Sequence, residues 1–309
     1  MHLQLFDLDG SLAGQTTLRD AAPWASLTTI ALRDLGPHLR LWSRERTIDI
    51  LRARLAAAAA RSVDAVTLIG SGDFHHLAVL LMERAPGPFT IMHIDNHPDW
   101  VRLAPRWHCG SWVNQALRLP QVARVITLGV CSDDLLRPDL KGGNLAALGQ
   151  GRIALFAWQH APSRVWMHVA DGAGHRYENG RLVWNNLADG EFSAHLDVIL
   201  AQIPTEAVWI TIDKDVLPES EALSNWDQGR MPLARVLETI RAIGARKHVI
   251  GADICGEYAP LQHANLFKRI EAHMDQPQRE PDAAALAQNE RVNRELLAAI
   301  AATDTNPSP

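Results

Sequence analysis

Short apolar runs recur along the chain, each bounded by glycine, proline or polar clusters. Such runs read as β-strands, and unbroken apolarity marks strands covered on both faces. The pattern predicts strands at residues 2–8, 39–42, 63–69, 88–95, 122–131, 152–158, 207–213 and 247–254. Between them the apolar positions fall at helical spacing. Ile48, Leu51 and Leu55 define a helix over 47–61, aided by an alanine run. Further helices are predicted up to residue 84 and over 113–118, 191–202, 231–245, 261–274 and 282–301, the last capped by Asp282. Strands alternating with helices imply an α/β chain: three αβα layers around a mainly parallel sheet. Residues 164–187 break the rhythm. There Asn179-Gly180 sits between alternating positions, a hairpin signal that predicts an antiparallel insertion. With no internal repeat or low-complexity linker, residues 1–302 are expected to form one domain. Residues 276–281 are a short link before the last helix, and 303–309 a frayed tail.

Composition narrows the function classes. A net charge of −5 gives no basic footprint, so no nucleic-acid partner is expected. No apolar run reaches the ~18 residues that a membrane helix needs. The N-terminus has no basic segment ahead of an apolar core, so no secretory leader is expected. Cys109, Cys131 and Cys255 are scattered and form no disulfide framework, which points to a reducing, cytoplasmic setting. Cys255, inside a predicted strand, reads as inert core.

The strand at 88–95 runs into Asp95-Asn96-His97-Pro98-Asp99. In extended chain, residues i, i+2 and i+4 share a face, so Asp95, His97 and Asp99 can converge. Three other strands end in similar chemistry: His75-His76 after residue 69, Asp213 and Asp215 after 212, and Asp253 and Glu257 near 254. In a parallel sheet all C-terminal ends lie on one edge. A histidine from the 75–76 pair, with Asp95, His97, Asp99, Asp213 and Asp215, makes six ligands, four of them carboxylates. Such a cluster stays ionised only with cations, and two divalent ions would neutralise it. Two ions supply a water acidic enough to act near neutral pH. His108 and Glu257 are the candidates to handle protons.

Two family resemblances follow. Asp7-Leu8-Asp9-Gly10-Ser11 resembles the nucleophile turn of haloacid-dehalogenase phosphotransferases, which would make Asp7 the nucleophile and Asp9 its proton partner. Its candidate lysine and distal acid pair, Lys141 and Asp133-Asp134, do not fall at strand ends, and it leaves Asp95, His97 and Asp99 unexplained.

The second resemblance spans about residues 60–260, with its motifs in consistent order. Gly70-Ser71-Gly72-Asp73-Phe74-His75, Asp95-Asn96-His97-Pro98-Asp99, His108-Cys109-Gly110, Thr211-Ile212-Asp213-Lys214-Asp215 and the stretch from Asp253 to Glu257 resemble the arginase/agmatinase/formiminoglutamase family of ureohydrolases. The resemblance implies the arginase–deacetylase fold and two manganese ions per chain. It implies one ion held by His75, Asp95, Asp99 and Asp213, and another by Asp95, His97, Asp213 and Asp215. His75 is preferred to His76 on the geometry of a turn. The implied chemistry is hydrolysis of a C–N bond in a small guanidino, amidino or formimino compound by a metal-bridging hydroxide. His108, Glu257 and Asp99 would serve catalysis, the substrate would be a small cation, and the family is usually oligomeric. Departures argue against arginine or agmatine as substrate. Glu257 sits one residue late, behind Gly256, Pro218 replaces an acid, and the loop that holds the amino-acid end of arginine has no match between Asp99 and His108. Single-metal amide deacylation on the same fold, and a non-catalytic metal-binding role, are the remaining alternatives.

Overall fold

In the computed structural model, which describes residues 1–260, 262–277, 279 and 283–304, seven of the predicted strands form. An eighth, Leu27–Ala31, joins them in one sheet. In chain order the strands are β1 His2–Asp7, β2 Leu27–Ala31, β3 Ala65–Leu68, β4 Phe89–Ile94, β5 Val122–Val130, β6 Ile153–Ala157, β7 Ala207–Asp213 and β8 His248–Cys255. They lie in the order β2-β1-β3-β8-β7-β4-β5-β6, and every neighbouring pair is parallel. The architecture is the expected αβα sandwich.

Alternation assigns the two faces. Ile91, Val125 and Trp209 pack on one side with the helices Glu45–Ala57, Ala78–Met82, Trp112–Ala116 and Leu145–Gly149. Met92, Ile94, Ile126, Ile210 and Ile212 pack on the other with Phe192–Ala201, Leu233–Gly244 and Ala283–Thr303. Burial on both faces explains why these strands read as continuous apolar runs.

The expected strand at 39–42 is a correction. Residues Gly36–Leu39 make a short helical turn, and Trp42–Ser43 pairs antiparallel with Trp107–His108. The polar β2 escaped the pattern because it is an edge strand with only Ile30 buried. Residues 164–187 do contain an antiparallel excursion: Ser163–Arg164, His175–Glu178 and Arg181–Trp184 form a separate small sheet. Asn179 and Gly180 both adopt positive φ, as a two-residue hairpin turn requires. The helix expected over 261–274 spans Leu266–Asp275 and is capped by Asn265, whose side chain accepts the Lys268 amide. Asp282, the expected cap of the final helix, and 305–309 of the expected tail lie outside the described residues. Among the described residues, no helix is long and apolar enough to cross a membrane.

Candidate metal centre

Strands β3, β8, β7 and β4 are neighbours in the middle of the sheet, so the four motif-bearing strand ends meet on one edge. After β3 the chain makes a tight helical turn, Gly72–Leu77, opened by Ser71, whose hydroxyl accepts the Asp73 amide. This turn separates the two histidines. His76 points away to Ser43 Oγ, 3.1 Å from its Nε2, and burial holds its pKa well below the ordinary range. His75 faces the acids. Its Nδ1 lies 3.1 Å from Asp95 Oδ2, 3.3 Å from Asp99 Oδ2 and 3.8 Å from Asp213 Oδ2, yet makes no hydrogen bond.

The other face of His75 explains that orphan atom. Thr211 Oγ1 donates to Asp253 Oδ1 at 2.7 Å, and Asp253 Oδ2 accepts from Trp209 Nε1. The Thr211 hydroxyl has therefore spent its proton, so at 2.8 Å it accepts from His75 Nε2–H. Nδ1 is left as a lone pair aimed at three carboxylates. A buried lone pair facing anions is satisfied by positive charge, either a proton on Nδ1 or a metal ion between the groups.

The carboxylates are held open for one. Asp95 Oδ1 accepts the His97 amide at 2.6 Å, and Asp213 Oδ1 accepts the Asp215 amide at 3.0 Å. A Cβ on Gly72 or on Gly256 would overlap an Asp213 carboxylate oxygen, so both glycines clear its space. Asp99 stands at φ 47°, a left-handed conformation costly for a non-glycine residue, and accepts Trp112 Nε1 at 2.6 Å. Beside this group lies a second one. His97 Nδ1 is 3.1 Å from Asp215 Oδ2 and 3.6 Å from Asp95 Oδ1, while its Nε2 is bound to Asp227 Oδ1 at 2.9 Å. Asp95 thus touches both groups, and all six expected ligands are brought together.

Crowding shows in the acidities. Burial and the Asp95 charge push Asp213 up to about 6. Burial, with Asp213 and Asp95, pushes Asp215 well up. Asp95 goes the other way: burial opposes its charge, but His93, His75 and His97 outweigh it and hold its carboxyl well below the usual range. Carboxylates with a few imidazoles suit a hard or borderline divalent ion.

The sequence reading missed one member. His93 is fully buried on β4, with Nε2 2.8 Å from Asp95 Oδ2 and 4.0 Å from Asp99 Oδ2. Its donor atom groups with those of His75, Asp95 and Asp99. The signal was present, since His93 precedes Asp95 by two residues on the same strand face. It was hidden by the apolar residues around it.

His108 and Glu257 part company. The Trp42–Ser43 pairing fixes His108 at the rim, where Nδ1 accepts the Gly110 amide and Nε2 lies 2.9 Å from Glu271 Oε1. Burial would raise Glu271, but His108 and Trp42 outweigh it and keep the carboxyl below its ordinary value. Glu271, on the helix Leu266–Asp275, left no signal in the sequence. Glu257 does not join the site, which corrects the expectation. Gly256 turns the chain at φ 89°, and the Glu257 carboxylate pairs with buried Lys214 and accepts from Gln15, Asn289 and Asn293.

The cluster floors an open pocket of about 940 Å³, with His108, Trp226, Asp227 and Arg230 in its walls. Asp7 and Asp9 lie elsewhere. Asp7 is paired with Arg33, and Asp9 is bound by Ser11 and by buried Arg40, which also binds Asp73. Neither carboxylate is among the residues that line the pocket.

Fold and site together define an arginase-like αβα chain with a buried carboxylate–imidazole cluster on its sheet edge. Proclavaminate amidino hydrolase from Streptomyces clavuligerus superposes with a TM-score of 0.61 at 14% identity, over 97% of this chain and 90% of that one. Formimidoylglutamase from Bacillus subtilis gives 0.61 at 13%, over 99% and 88%. Arginase from Bacillus caldovelox gives 0.60 at 11%, over 97% and 98%. In sequence, the chain is 27% identical over 197 residues to an uncharacterized protein of Thermotoga maritima, covering 64% of this chain and 60% of that relative's length. No family model matches the chain.

Proposed function

We propose that the protein is a divergent ureohydrolase: a metal-dependent hydrolase with two ions per chain, acting on a C–N bond of a small guanidino, amidino or formimino compound. The observation that carries this reading is the orphan Nδ1 of His75, aimed at Asp95, Asp99 and Asp213. One ion would be held by His75, Asp95, Asp99 and Asp213, the other by Asp95, His97, Asp213 and Asp215, with manganese the ion we infer. When bound, such ions polarise the substrate and supply a water acidic enough to react near neutral pH.

The chain's own residues supply the rest. His108 lines the pocket with its Nε2 paired to Glu271, and this His108–Glu271 pair is the group at the rim that would handle protons. Asp227 holds His97 in place through Nε2, as carboxylates commonly do for a ligating imidazole. Asp133, Asp134, Asp227 and Asp275 outnumber Lys141 and Arg230 around the pocket, which favours a small cationic substrate. Glu257, the late acid of the resembled motif, is absent from the pocket because it is committed to Lys214. This supports a substrate other than arginine. Three free cysteines suit a reducing, cytoplasmic setting.

The test is a urea- and ammonia-release screen over guanidino, amidino and formimino compounds on protein loaded with manganese. Turnover of at least one, abolished in Asp95→Asn, is the expected outcome. Loaded protein that turns over none of them but cleaves acetyl-amides would place it with the deacylases instead.

A further inference from the structure

The two buried histidines beside Asp95 differ in what their hydroxyl partners allow. The Thr211 hydroxyl donates to Asp253, so His75 donates to it from Nε2 and turns Nδ1 to the carboxylates. Among the described residues the Thr127 side chain has one hydrogen-bond partner, His93 Nδ1 at 3.2 Å. Its hydroxyl can donate there while Nε2 carries the proton that the Asp95 carboxylate, an acceptor only, calls for at 2.8 Å. His75 Nδ1, by contrast, has three carboxylate oxygens within 3.8 Å and no hydrogen bond. One ring presents a lone pair and the other an N–H.

We infer that His93 is a positioning residue rather than a metal ligand: through Nε2–H it fixes the carboxylate of Asp95, which the two proposed ion positions share. The inference rests on the proposed two-ion reading. A matching contact supports it on the other shared carboxylate. Cys255 Sγ donates to Asp213 Oδ2 at 3.2 Å, so each shared acid is tied down by a side chain of the sheet. Both ties come from residues near the strand ends, His93 on β4 and Cys255 on β8, and both donors are buried. A carboxylate fixed in this way pays less ordering entropy when it binds an ion, and its free lone pairs stay directed into the site.

The experiment compares wild type with His93→Phe, His93→Gln and Thr127→Val. Manganese affinity is measured by calorimetry, and the imidazoles bound to the ions are counted by X-ray absorption of the cobalt-loaded proteins. His93→Phe removes the donor and is expected to weaken affinity about 10–100-fold. His93→Gln keeps an N–H at that end and is expected to restore most of the affinity. Thr127→Val, which leaves the ring but frees its tautomer, is expected to fall between them and guards against a misfolded His93→Phe. The count is expected to be two imidazoles per chain, the same in wild type and in His93→Gln. A third imidazole that disappears in His93→Gln would make His93 a ligand and overturn the inference. So would unchanged affinity in His93→Phe and Thr127→Val. Wild-type protein that binds no divalent ion overturns the two-ion reading along with this one, whereas the other two contrary results leave that reading standing.

Discussion

His75 shows how one side chain reports the site. Its ring is fixed from behind by Thr211 and Asp253, and the atom it presents has no partner of its own. In the ion-free protein that arrangement favours protons. Burial works against a charge on His75, but Asp95 and Asp99 outweigh it and raise its pKa well above the ordinary value; Asp215 and Asp227 do the same for His97. Asp213 is raised from 3.8 to about 6 by burial and Asp95. Raised folded-state values mean that the ion-free fold holds protons the unfolded chain has released. Stability from these groups is therefore present at low pH and lost as pH rises, between 3.8 and about 6 for Asp213 and above 6.5 for the two histidines. Buried His76, lowered by desolvation, runs the opposite way, so the informative quantity is the difference between ion-loaded and ion-free protein. Ions must displace the protons. The rise in melting temperature caused by manganese should grow from pH 5.5 to pH 8, with net proton release in calorimetry. A manganese effect independent of pH would contradict the ligand assignment.

Elements decide which of those residues meet. The strand ends were legible because apolar runs stop abruptly at acids and histidines, and a parallel sheet gathers its C-terminal ends. The meeting of His75, Asp95, His97, Asp99, Asp213 and Asp215 follows from that rule and from one turn. What could not be read depended on partners distant in sequence. Trp42–Ser43 becomes a strand only because Trp107–His108 lies beside it. Glu271 reaches His108 from a helix more than a hundred residues later. Glu257 was assigned by motif order, but its direction is set by the left-handed turn at Gly256 and by Lys214. There it ties β8 to Asn289 and Asn293 of the final helix. Removing one partner of a buried ion pair typically costs about 3–5 kcal/mol. Glu257→Ala should therefore lose roughly that much in urea unfolding while keeping its full metal content, whereas loss of metal at unchanged stability would return Glu257 to the site. His108→Phe should behave oppositely, retaining metal and stability and lowering kcat by about 100-fold or more.

Across the whole molecule, the sheet order separates the chemistry from the rest. The four central strands carry the candidate ligands to one edge, and β1 and β2 lie to one side. Asp7, next to the β2 edge and paired with Arg33, belongs to that outer region. Asp7→Asn should leave hydrolysis nearly intact, whereas a phosphatase activity lost in that variant would favour a phosphotransferase. The αβα class was legible throughout, since alternating apolar runs and helical periods specify layers. Substrate identity was not, because the pocket walls come from loops whose meeting depends on the finished fold.

The central claim is that the cluster holds two divalent ions sharing Asp95 and Asp213. Its most direct test is the metal content of protein purified without added chelator and then equilibrated with manganese. The account predicts about two manganese ions per chain in wild type, with binding lost in Asp95→Asn. A single zinc per chain that resists exchange, undisturbed by Asp215→Asn, would contradict it.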